Sequence, residues 1–67
     1  MKAIEMKAAD ITRMREQLGW SKAELSRQAA MNAADVGKIE SGRVVAYPSQ
    51  LEKIRAAFER AGVLDDE

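Results

Sequence analysis

Two helix-start signals stand eleven residues apart, at Ser21 and Asn32, and that spacing leaves the stretch SKAELSRQAAMNAADVGKIESG few ways to fold. Each of the two residues carries a side-chain oxygen that accepts from the unpaired N–H groups of a first helical turn. Glu24 follows Ser21 at the position that completes a capping box, and Trp20 and Leu25 flank the cap as a hydrophobic staple. The grammar then repeats: Asn32 caps, Asp35 takes the Glu24 position, and Met31 and Val36 form the second staple. Only Ala30 and Met31 separate the first helix from the second cap. Two short helices joined by a tight turn follow, over about residues 22–30 and 33–41.

The flanking chain supplies what this pair packs against. Ile11, Met14 and Leu18 form one apolar stripe of a helix over about residues 8–18, with Arg13, Glu16 and Gln17 facing outward. Gly19 supplies the left-handed residue that stops it. In the second helix Leu25 and Ala29 point inward, and Ser26 is small where the next helix passes close. In the third, Val36 and Ile39 are predicted to be buried, Ala33, Ala34, Gly37 and Lys38 to face outward, and Gly42 to end it. RVVAYPS reads as a loop, with Pro48 forbidding a helix through it. Its Val44, Val45 and Tyr47 are apolar enough to pack or to meet a partner. A fourth helix is predicted to open at a Ser49–Glu52 capping box, to carry Leu51, Ile54, Phe58 and Ala61 on one stripe, and to stop at Gly62. The fold class is therefore all-α, a compact domain of four to five helices over residues 8–64. Residues 1–7 form an N-terminal arm or a short strand, and residues 65–67 an acidic tail.

Composition narrows the chemistry. With no cysteine, neither a disulfide nor a thiolate metal site is available, and with no histidine the commonest general base and metal ligand are missing. No metal, no cofactor and no enzymatic activity are expected, since no nucleophile–base pair is visible. No run approaches the roughly 18 apolar residues of a membrane span, and the first residues lack the apolar core of a signal peptide, so a cytoplasmic protein is expected. Eleven Lys and Arg balance eleven Asp and Glu. Three of the acids are Asp65, Asp66 and Glu67, so residues 1–64 carry eleven positives against eight negatives, a net of +3. That excess permits nucleic-acid binding while keeping non-specific affinity low.

The joint pattern resembles the lambda-repressor-like helix-turn-helix family, which includes phage Cro and CI repressors and xenobiotic-response-element regulators. LGW at 18–20, Ala23 to Leu25, Val36, Ile39 to Gly42 and the later Pro48 with its amphipathic helix carry the resemblance over about residues 8–62. It implies that the third helix is the recognition helix. Ala33, Ala34 and Lys38 would then face base edges, with Lys38 donating to guanine O6 or N7 and the alanines meeting thymine methyls. Lys22, Asn32, Ser41, Arg43 and, more weakly, Arg27 would contact phosphates. Arg15 and Glu40 resemble the family's internal ion pair between the first helix and the end of the third. Ala30 replaces a frequent turn glycine, which requires a right-handed conformation there, and Lys22 replaces a frequent glutamine.

Two functions are compatible with these residues. One is a sequence-specific transcriptional regulator, a Cro-like repressor binding a partly palindromic double-stranded DNA operator as a homodimer, with Phe58, Val63 and Leu64 or the Val44–Tyr47 loop as its seam. The other is a protein-interaction module on the same fold, such as an antitoxin or antiactivator, favoured by the zero net charge and the apolar loop. Lys22, Lys38 and Arg43 favour the first.

Overall fold

A computed structural model describes residues 6–63, which form four helices and, among the described residues, no strand: α1 (Ala8–Gln17), α2 (Lys22–Gln28), α3 (Ala33–Glu40) and α4 (Pro48–Ala61). Each helix stops by the same device. A residue two or three places beyond the last helical residue donates its N–H back across the helix end, in Trp20 to Arg15 O (3.1 Å), Met31 to Ser26 O (2.8 Å), Arg43 to Lys38 O (3.0 Å) and Val63 to Phe58 O (3.1 Å). This bond requires a left-handed residue just before it. Gly19, Gly42 and Gly62 serve at φ of 72°, 80° and 84°. In α2 the position falls to Ala30, at φ 57°, so the right-handed conformation expected there is corrected: the turn needs the same geometry whatever the side chain. The reverse turns also take up the last expected residues of α1, α2 and α3, which end one or two positions early.

The helix starts depart from expectation in detail. Ser21 Oγ accepts from Glu24 N (3.0 Å), but the Glu24 carboxylate turns away to Arg27 and Gln28, so only half the capping box forms. Asn32 Oδ1 accepts from Ala34 N at 2.9 Å. Helix α4 begins at Pro48, and the predicted Ser49–Glu52 box is absent. Proline fixes its own φ near the helical value and has no N–H to leave unpaired, which suits the first helical position. The Tyr47 N–H before it is taken by Gln50 Oε1 at 2.9 Å.

All four helices contribute to one core of Ile11, Met14, Leu25, Ala29, Val36, Ile39, Ile54, Ala57 and Phe58. Helix α3 packs on α1 and α2, and α4 packs on α2. Trp20 stacks on Phe58 with ring centroids 6.1 Å apart, and Arg60 Nη2 donates to Gln28 O (2.7 Å), tying α4 to the end of α2. Phe58 is 0% exposed, which removes it from any subunit seam: its ring lies in the core, stacked on Trp20. Ala61, placed on the inner stripe, is exposed, and Ala57 takes the inward position. Met6 is partly buried against the core and Lys7 is the N-cap residue of α1, while residues 1–5 of the expected arm, Leu64 and the acidic tail lie outside the described residues. No described helix is long and apolar enough to cross a membrane.

Candidate nucleic-acid interface

The orientation of α3 is set from its last residue. Glu40 lies on the inner side of the helix end with its side chain 3% exposed, and Arg15 reaches it from α1 at 11%. Arg15 Nε donates to Glu40 Oε2 at 2.8 Å and Arg15 Nη2 to Oε1 at 3.1 Å, a two-pronged pairing. Thr12 Oγ1 donates a third bond to Oε1 at 2.8 Å. Arg15 Nη1 meanwhile donates to Trp20 O at 2.8 Å, so one guanidinium joins α1, the α1–α2 turn and α3. The bonds to Glu40 hold the Arg15 pKa above its ordinary value against the opposing effect of burial, so the cation persists at every working pH. The clamp leaves α3 little freedom to rotate, and its outer face therefore points in a fixed direction.

That face is Ala33, Ala34, Gly37 and Lys38, the first two and Lys38 being exposed. Ala34, Gly37, Lys38, Ser41 and Arg43 line a shallow concavity of about 360 Å³. Four of the sequence-predicted residues are thus brought together, whereas Ala33, Lys22, Asn32 and Arg27 lie outside its lining. Among the described residues Lys22, Lys38 and Arg43 are exposed and enter no ion pair, as is also true of Lys7, Lys53 and Arg60 elsewhere on the surface.

The other polar candidates are partly committed. Arg27 donates through Nε and Nη2 to Glu24 (3.2 and 2.6 Å). These bonds pull the Glu24 carboxyl below its ordinary range and raise Arg27, so the arginine already has its anion. Ser41 Oγ donates to Lys38 O (3.0 Å), which occupies the proton a phosphate contact would use. Asn32 spends its oxygen on the helix cap and keeps its amide nitrogen as a donor. Sequence reasoning missed Thr12, although it sits three residues before Arg15 on the same face of α1. It also missed the Arg60–Gln28 bond, which joins residues 32 apart and has no local signature.

A short helix held with one face outward behind a two-helix turn defines a helix-turn-helix domain. A family profile described as a helix-turn-helix domain matches residues 8–67, and the chain belongs to that family, in keeping with the lambda-repressor-like resemblance. A search of curated proteins and one of solved structures returned no match.

Proposed function

We propose that the protein is a sequence-specific, dimeric DNA-binding regulator that places α3 in the major groove of a partly palindromic operator. The carrying observation is Lys38: an ammonium without an internal partner, on the outer face of a helix whose angle is fixed by a buried ion pair. Lys38 donates to guanine, Ala33 and Ala34 lie against base edges, and Lys22, Arg43 and the Asn32 amide hold phosphates. Arg27 and Ser41 rank below these because both are already bonded within the chain. Two copies at half-sites about 34 Å apart double the contacts. A domain 31 Å along its longest axis is of the right size to touch its neighbour at that spacing. The seam is assigned to the α3–α4 loop, where Val45 is 90%, Tyr47 70% and Val44 45% exposed, together with Val63.

The same loop favours the second reading, a module whose main ligand is another protein, since exposed apolar side chains draw any complementary surface. Selection from a pool of random duplexes separates the two. A regulator enriches a defined sequence with twofold character; a protein-binding module enriches none.

A further inference from the structure

The start of α1, the end of α3 and the loop leading into α4 border a second concavity, of about 280 Å³, which shares no lining residue with the one on the outer face of α3. Met6, Ile39, Leu51, Val44 and Val45 line it, and Lys7 is the only charged residue among the described residues of its lining. Val44 and Val45 are exposed, so this groove has apolar surface that gains by being covered. Lys7 is exposed as well and enters no ion pair among the described residues. The complementary ligand is apolar at one point and anionic beside it.

Residues 64–67 have that composition, Leu64 being followed directly by Asp65, Asp66 and Glu67. Their own chain cannot deliver Leu64 to the groove. The ten steps of α4 from Leu51 to Ala61 span about 15 Å. Val63 is tied to that far end by its bond to Phe58 O at 3.1 Å, and the Leu64 Cα lies only about 3.8 Å further on. A second copy meets no such limit, and about a twofold axis each tail enters the other's groove. Two grooves pressed together without the tails would instead set Lys7 against Lys7, with no acid among their described lining residues. We propose that the groove is the docking site for the acidic tail of a second copy, with Leu64 against Met6, Ile39 and Leu51 and the aspartates beside Lys7. The inference rests on the dimeric part of the reading above and names its contact; it does not depend on what α3 binds.

The chain has no cysteine of its own, so introduced cysteines report contacts cleanly. The test mixes full-length Leu64→Cys and Val45→Cys proteins under mild oxidation, from micromolar to millimolar concentration, and reads the products by non-reducing electrophoresis. A covalent dimer joining one of each should form in excess over the dimers either protein forms alone. A protein carrying both substitutions should cross-link between chains and not within one. In sedimentation, Leu64→Ala should raise the dimer dissociation constant about tenfold for each groove emptied, about a hundredfold in all, with its helical circular dichroism kept. An unchanged constant overturns the inference. Cross-links confined to pairs of Val45→Cys copies would set loop against loop, overturning the inference while leaving the dimeric reading. A link within one chain would give the groove to its own tail and overturn it too. A mixture that stays monomeric also overturns it, and twofold character in the duplex selected from random sequence then decides separately whether the dimeric reading stands.

Discussion

At position 40 a single carboxylate takes three hydrogen bonds, two from Arg15 and one from Thr12, with almost no access to water. Removing it strands a largely buried guanidinium, and breaking a buried pair in this way costs about 3–5 kcal/mol. A domain of this size has roughly 3–10 kcal/mol in all. Glu40→Ala should therefore lose most of the cooperative urea transition, while the exposed Glu16→Ala keeps it; equal midpoints for the two variants would show that the pair does not hold α3. Ala30 carries the opposite sign. It sits at φ 57°, where a Cβ is strained, and no glycine relieves it. Ala30→Gly should raise the unfolding free energy by about 0.5–1 kcal/mol, the strain released exceeding the extra freedom of the unfolded chain. A lower urea midpoint for that variant would contradict the assignment of a left-handed cap there.

Much of the element plan was legible because helix boundaries are local chemistry. Ser21, Asn32, Gly19, Gly42 and Gly62 act within a turn of their own position, and all five serve where the sequence places them. The Ser49 cap failed because Pro48 competes for the same turn, and a ring that fixes φ outweighs a hydroxyl that must find its N–H. An apolar stripe does not say which neighbour covers it, so Phe58 reads from sequence as a seam residue, whereas the fold places it in the core under Trp20 from another part of the chain. The outer face of α3 was legible as a list of residues, but its concavity and the bonds that commit Ser41 and Arg27 depend on rotamers. Element stability also has a pH signature. Asp10 is pulled below its ordinary value first by the Lys7 N–H and then by Arg13, and Glu24 by Arg27 and Gln28. A carboxyl with a depressed folded pKa contributes stability above its unfolded value and loses it as pH falls through the folded one. Melting temperatures should thus decline below about pH 4.3. Glu24→Gln, which cannot titrate, should decline less steeply than the parent; parallel curves would remove Glu24 from the linkage.

On the scale of the whole molecule, charge and size set the mode of binding. On the proposed reading a chain with zero net charge would gather few counterions' worth of affinity from a random duplex, so discrimination would depend on the few exposed cations beside α3. On that reading one Lys38 per domain is a small base-reading set, which pairing of two copies would make sufficient. Sedimentation at micromolar concentration should show a dimer on operator duplex, and Val45→Lys with Tyr47→Lys should leave the fold intact while reducing the complex to one subunit per half-site; an unchanged dimer would move the seam elsewhere. The central claim is that α3 reads bases while the start of α2 holds the backbone. The most direct measurement is a pair of titrations, Lys38→Ala and Lys22→Ala, each against the selected duplex and a scrambled one over a salt series. Lys38→Ala should cost about 1–3 kcal/mol on the selected duplex and relax preference at one base pair. Lys22→Ala should weaken both duplexes alike and lower the salt slope by about one unit. Equal losses on both duplexes for Lys38→Ala would contradict base reading by α3, and no loss for either variant would contradict DNA binding through this face.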